Sequence, residues 1–229
     1  TISIDKSTAI VIDIEQTYIS FSPEIRVRKL NNGEAYTMTV KNNLTSDGVK
    51  RDEYEIDITE SQYNQLIARR VRECNVYCEI KSYKMTVEEI KSYDPMGIIF
   101  TGGPNSVYLE SSPHVDPAVF QLGIPILGIC YGCQLMAHTL GGLVTEAQED
   151  SAREYGKTQT FFDTSCKLFK GIPEESITWM SHGDYMAKVP EGFSLVGRTD
   201  ACPNVAIADE SRGFYGVQYH PEVNHTQHG

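Results

Sequence analysis

The run from Ile126 to Met136, Ile-Leu-Gly-Ile-Cys-Tyr-Gly-Cys-Gln-Leu-Met, constrains the fold of this chain more than any other stretch. Residues 124–129 have the length and apolar character of a buried parallel strand, and 134–140 have the mixed apolar pattern of a helix. Cys130 falls at the turn between them. A strand that passes sharply into a helix leaves little room for side chains, and Gly128 and Gly132 stand on either side of the cysteine. The pattern is a nucleophile elbow, Gly-x-Ser-x-Gly, with cysteine in place of serine, and it lifts the reactive atom above the sheet edge. The helix N-terminus behind it favours the thiolate, which is the nucleophilic form. Two other readings use the same residues. A cysteine that ends a strand is often simply buried, and Cys130-Tyr131-Gly132-Cys133 also has the spacing of a thioredoxin-like redox pair.

From about residue 62 the chain alternates helix and strand. The pattern predicts a helix over 62–73, a strand over 76–80, a helix over 87–92, a buried strand over 97–100 ending at Thr101-Gly102-Gly103-Pro104, a helix over 117–122, and then the strand into Cys130. Such alternation predicts an α/β fold with a mostly parallel central sheet flanked by helices, and ligands at the carboxyl ends of its strands. The stretches 158–162, 178–180, 194–199, 205–209 and 213–219 make the later part richer in strands. Residues 1–61 differ. Here 18–20, 25–30, 35–41 and 51–59 read as antiparallel strands, with hairpin signals at Asn31-Asn32-Gly33 and Ser46-Asp47-Gly48. The composition changes near Ser61. It divides the chain into an N-terminal β-rich segment or insertion, residues 1–61, and an α/β domain, residues 62–229.

Composition narrows the function classes. The 229 residues suffice for one large α/β domain, or one domain with a small module. No run of about 18 apolar residues occurs and no signal-peptide pattern opens the chain, so membrane insertion and secretion are not expected. Six scattered cysteines fit reduced thiols in a cytoplasm better than a disulfide framework. A formal charge of −11 with no basic stripe argues against nonspecific nucleic-acid binding. The expected partners are small molecules or another protein.

A thiolate that attacks a carbonyl needs a base, a group that orients the base, and donors for the oxyanion. The run Gly213–Tyr219 reads as a strand that delivers His220 at its end, with Glu222 two residues on, a spacing that lets the carboxylate reach the imidazole and fix its tautomer. Gly102 and Gly103 follow a buried strand, where glycine permits the close backbone approach an oxyanion hole requires. His182, in Trp179-Met180-Ser181-His182-Gly183-Asp184, fits either substrate binding or a loop cap. His225 and His228 have a spacing that suits a metal ligand pair, but no cysteine or carboxylate set completes a site, so no metal is expected.

Three motifs together, Thr101-Gly102-Gly103-Pro104-Asn105-Ser106-Val107, Gly128-Ile129-Cys130-Tyr131-Gly132-Cys133-Gln134 and Tyr219-His220-Pro221-Glu222-Val223, resemble a class I glutamine amidotransferase domain. Residues 62–73 and 179–184 are similar to the amidotransferase half of GMP synthetase. The resemblance runs from about residue 62 to residue 229. It implies a triad of Cys130, His220 and Glu222 that hydrolyses the side-chain amide of glutamine through a thioester. It places the oxyanion donors on the main chain at Gly103 and Tyr131, and it matches Gly102, Gln134, Ser181 and His182 to the glutamine pocket. It also implies a partner, an ATP-pyrophosphatase domain or subunit. The glutaminase step itself takes no cofactor, and ATP and Mg belong to that synthetase domain.

The chain departs from the family pattern in two places. The family's first helix follows a strand ending in Asp-Phe-Gly-Ser-Gln-Tyr or a close variant, whereas here Ser61-Gln62-Tyr63 follows Glu55-Ile56-Asp57-Ile58-Thr59-Glu60. Ala9-Ile10-Val11-Ile12-Asp13 looks more like that first strand, so residues 14–61 read as an insertion or fusion joint, with either 9–13 or 54–58 recruited into the sheet. The inserted stretch itself resembles part of a CYTH (triphosphate tunnel) domain, which implies a phosphate- or triphosphate-binding module beside an inactive amidotransferase scaffold as the alternative function. At the other end the family's last helix is missing, and no Ser-Gly-Gly-x-Asp-Ser loop for ATP occurs.

Overall fold

The computed structural model describes residues 24–30, 35–43, 51–58, 60–103, 105–147 and 153–229, with side chains from residue 64 onward. The expected strands at 9–13 and 18–20 and the hairpin turns at 31–33 and 46–48 lie outside the described residues. The chain divides into two compact units, Thr1–Gln62 and Tyr63–Gly229.

In the first unit, β1 (Glu24–Leu30), β2 (Ala35–Asn43) and β3 (Arg51–Ile58) form an antiparallel sheet in that order. Alternation drives it: Tyr54, Ile56 and Ile58 are separated by Glu55 and Asp57, a period of two that suits a strand. The register pairs Val27 with Met38 and Met38 with Ile56. Residues 54–58 lie on β3 and pair with β2.

Helix α1 (Glu60–Glu73) spans the division between the units. The second unit continues with α2 (Val87–Tyr93), closed at its start by a capping box between Thr86 and Glu89. Its seven-stranded sheet runs β4 (Ile98–Phe100), β5 (Ile126–Ile129), β12 (Phe214–Val217), β11 (Ala206–Asp209), β10 (Ser194–Arg198), β7 (Glu154–Phe162), β8 (Glu175–His182). A small pair, β6 (Leu143–Glu146) with β9 (Asp184–Lys188), stands apart from it. The α/β class holds, and parallel pairing is confined to β4–β5 and β5–β12. The other ladders are antiparallel. The reason is connection length. A parallel neighbour needs a long crossover, while β11 reaches β12 through residues 210–213 alone, which permits only an antiparallel return.

Three expected elements are corrected. Residues 76–80 form no strand; they have no ladder partner among the described residues, and Val76, Tyr77 and Ile80 are exposed. β-branched and aromatic residues make a strand only where a neighbour takes their N–H and C=O groups. The helix expected over 117–122 is a single 3-10 segment, Pro117–Gln121, started by Asp116, whose carboxylate accepts from the Ala118 N–H at 2.9 Å. The helix expected over 134–140 begins earlier, as α3 (Tyr131–Thr139).

Strands β5, β12 and β11 are buried or half-buried along their whole length, so the sheet is covered on both faces there. Ile129, Phe162, Met180, Ala206 and Val217 pack on one side. Ile126, Met136, Met186, Ile207 and Phe214 pack on the other, beneath α3. No helix among the described residues is long and apolar enough to cross a membrane.

Candidate active site

Cys130 sits between the end of β5 and the start of α3 with φ 52° and ψ −109°, a conformation L residues seldom adopt. Its backbone is fixed at both ends. The N–H donates to Val217 O on β12 at 2.8 Å, and the carbonyl accepts from the Cys133 and Gln134 N–H groups at 3.1 and 3.2 Å, the first bonds of α3. The flanking glycines are sterically required. A Cβ at Gly128 would lie 2.6 Å from Gly132 O, and one at Gly132 would strike the carbonyl of Phe100. That close approach lets the Gly132 N–H donate to Thr101 O at 3.1 Å, tying the elbow to the loop after β4.

His220 follows β12 on the neighbouring strand, so the parallel pairing of β5 and β12 brings cysteine and imidazole to the same sheet edge. His220 Nδ1 is 2.8 Å from Glu222 Oε1, and both side chains are buried. Burial opposes a charge on His220, but the Glu222 carboxylate, the Cys130 sulfur and hydrogen bonds to both outweigh it and hold the imidazole well above its ordinary range. Main-chain bonds fix the segment. The His220 N–H donates to Trp179 O at 2.9 Å, the Thr226 hydroxyl donates to His220 O at 2.6 Å, and that hydroxyl accepts from the Trp179 N–H at 3.0 Å. Arg70 on α1 reaches across with Nε to Glu222 O at 2.9 Å and Nη2 to Asn224 Oδ1 at 2.7 Å.

The remaining sequence-predicted residues gather around this pair. Gly102 is buried, and Gly103 packs so that a Cβ there would meet Tyr131 Cγ at 3.3 Å. The Tyr131 hydroxyl donates to Pro113 O at 2.5 Å, and burial pushes its phenol up to about 12, so the ring is an anchor for the residue whose main chain opens α3. Ser181 O lies 4.0 Å from Cys130 Sγ. Gln134 Nε2 donates to Asp184 O and to Gln218 Oε1, each at 3.0 Å. His182 is buried with Nδ1 3.1 Å from Asp184 O and Nε2 3.3 Å from Glu154 Oε2. Thr199 Oγ1 donates to the other Glu154 oxygen at 2.7 Å.

Glu154, Gln218 and Arg70 escape a reading of the sequence. Glu154 meets His182 only because β7 and β8 are paired, with Glu154 opposite His182. Gln218 carries a signal: in the extended run before His220 it shares the parity of the histidine. The redox reading does not survive the geometry. Cys130 and Cys133 pack in clusters on opposite sides of the sheet. Cys133 Sγ lies 3.9 Å from Met186 Sδ, and burial raises its thiol far above the usual range. All six cysteines are free. Among the described residues, no group of three or more His, Cys, Asp or Glu side chains is placed to hold a metal ion.

A buried imidazole between a carboxylate and a thiol can hold the sulfur as thiolate and carry a proton between it and a group leaving an acyl carbon. Comparison with known proteins points the same way. The model of the family "Glutamine amidotransferase class-I" matches residues 56–229. The chain is 55% identical over 181 residues to the GMP synthase [glutamine-hydrolyzing] of Clostridium botulinum (strain Alaska E43 / Type E3), covering 79% of this chain and 35% of that protein. It is 59% identical over 168 residues to the GMP synthase [glutamine-hydrolyzing] of Clostridium perfringens (strain 13 / Type A), covering 73% of this chain and 32% of the relative. The chain thus spans about a third of the length of these curated relatives. A solved structure from Thermoplasma acidophilum, described as one subunit of a GMP synthase, superposes with a TM-score of 0.64 at 29% identity, over 72% of this chain and 82% of that one. A glutamine amidotransferase from Thermotoga maritima shares the fold, with a TM-score of 0.54 at 23% identity over 69% and 70% of the two chains. The match beginning at residue 56 leaves the triphosphate-tunnel resemblance of residues 14–61 without support. It runs through the loop at Gly103, the elbow and the histidine-bearing segment alike, and the chain belongs to the class I glutamine amidotransferase family.

Proposed function

We propose that this chain hydrolyses the side-chain amide of glutamine to glutamate and ammonia, with Cys130 as nucleophile, His220 as acid and base, and Glu222 orienting and charging His220. The observation that carries the reading is the buried Glu222–His220 pair, 2.8 Å across, set beside a cysteine held at positive φ. The Cys130 thiolate attacks the amide carbon. The oxyanion that forms is met by the main-chain N–H groups of Gly103 and Tyr131. Its collapse breaks the C–N bond, His220 gives its proton to the departing ammonia, and a glutamyl thioester remains. Water then attacks the thioester with His220 as base, and the thiolate leaves as glutamate forms. Gly102, Gln134, Ser181 and His182 line the glutamine side of the pocket.

The ammonia goes to an ATP-pyrophosphatase domain or subunit of the GMP synthetase type, which uses ATP and Mg to convert XMP to GMP. The names of the relatives support this assignment. Six free cysteines agree with a cytoplasmic setting. The test is ammonia release from glutamine, with and without an added ATP-pyrophosphatase subunit of GMP synthetase. Release that Cys130→Ser abolishes is the expected result. No release in either arm refutes the glutaminase reading, and release unchanged in Cys130→Ser refutes the nucleophile.

A further inference from the structure

We propose that Gln218 is a further catalytic residue, which donates a carboxamide N–H to the Cys130 sulfur; the inference rests on the glutaminase reading. Gln218 is fully buried, and its backbone N–H is fixed to Val205 O at 2.7 Å. Its Nε2 lies 3.8 Å from Cys130 Sγ, within reach of a long bond to sulfur. Its Oε1 accepts from Gln134 Nε2 at 3.0 Å, and that same amino group donates to Asp184 O at 3.0 Å.

This chain of groups fixes which way each amide points. A backbone carbonyl can only accept, so Gln134 must turn its amino end to Asp184 O. The same amino end then faces Gln218, which must present its oxygen. The Gln218 amino end is left facing the sulfur. Reversing Gln134 would set its oxygen against Asp184 O, and reversing Gln218 would set two amino groups against each other and an oxygen against the sulfur, all in a buried space. The polarity of the group touching the nucleophile is therefore set on β9, by the carbonyl of Asp184.

The donor has a chemical use. A thiolate only accepts, and a neutral donor beside it stabilises the charge without competing for the proton that His220 carries. The sulfur is charged at two points of the reaction, before it attacks the amide and when the thioester is broken. At both, Gln218 keeps its hydrogens and only orients them. A residue that merely held Gln134 in place would need its oxygen alone and would leave the reactivity of the sulfur untouched.

The test uses the full chain with Gln218→Met, which keeps the length but removes the donor, and Gln218→Glu, which keeps the shape and turns an oxygen toward the sulfur. Alkylation of Cys130 by iodoacetamide at neutral pH is followed by peptide mapping, and ammonia release is measured across glutamine concentrations. We expect Cys130 alkylation and kcat to fall about tenfold in Gln218→Met and further in Gln218→Glu, with KM within about twofold. Alkylation at the parent rate in Gln218→Met, or a loss confined to KM, overturns the proposal. If the parent releases no ammonia, the glutaminase reading fails while the alkylation rates still decide the Gln218 contact. If neither variant melts cooperatively, the 15N side-chain resonances of Gln218 in the unsubstituted chain decide instead. They should follow the ionisation of Cys130 and cease to do so in Cys130→Ser; resonances that stay flat overturn the proposal.

Discussion

Replacing Cys130 by glycine should stabilise the fold relative to replacing it by alanine, although both changes abolish turnover. Cys130 holds φ 52° and ψ −109°, outside the left-handed helical well that asparagine or aspartate tolerate. A side chain in such a region costs on the order of 1–3 kcal/mol, and here the upper half of that range applies. Alanine keeps the Cβ and the strain; glycine removes both. Against the relief stand about 0.4–1 kcal/mol for the greater freedom of glycine in the unfolded chain and about 0.8 kcal/mol for one buried methyl. Both variants lack the sulfur, so its contacts cancel. The balance is about 0.2–1.8 kcal/mol in favour of glycine, or roughly 0.4–7 °C in Tm for a unit of this size. Trp179 is the only tryptophan in the sequence and lies on β8, so its fluorescence follows unfolding of the α/β unit alone. A glycine variant that melts at or below the alanine variant would refute the claim that the elbow stores strain.

Three other outcomes are expected. A glutamine-like electrophile should label Cys130 and spare Cys133, and Cys133→Ser should retain most turnover while Cys130→Ser loses nearly all of it; peptide mapping and ammonia release check both. Glu222→Gln should move the basic limb of the activity profile to lower pH, because without the carboxylate burial draws His220 down. The same pair contributes stability that is full below the ordinary histidine range and is lost as pH rises through the raised folded value; Glu222→Gln should flatten that fall in Tm. Joining Asp13 to Ser61 through a short glycine linker should leave a cooperative melt near that of the parent and an alkylable Cys130. Absence of a transition would place residues 14–60 in the core.

What the sequence made legible was local. Gly128 and Gly132 bracket Cys130 so closely that steric reasoning alone foretells the elbow, and the two-residue step from His220 to Glu222 needs only an extended turn to close. The Glu154–His182 contact and the Gln134–Gln218 bond depend on sheet order and on which strand ends converge, which no spacing encodes. Residues 76–80 show the opposite error: strand-forming side chains were present, but no neighbour among the described residues completes a ladder. The extent of parallel pairing was overread for a related reason. Alternation of helix and strand holds up to Cys130, and beyond it short connections such as 210–213 impose antiparallel returns.

The bonds around Thr226 have a mechanical consequence. His220 N–H is held by Trp179 O, His220 O by the Thr226 hydroxyl, and that hydroxyl by Trp179 N–H, so three residues close a ring. A closed ring has fewer free torsions than its members would have separately. The backbone beneath the imidazole is therefore anchored to β8, the strand that also carries Ser181. In the proposed hydrolysis, any turn of the ring from the leaving nitrogen toward water is then a rotation about side-chain bonds, with the backbone held in place.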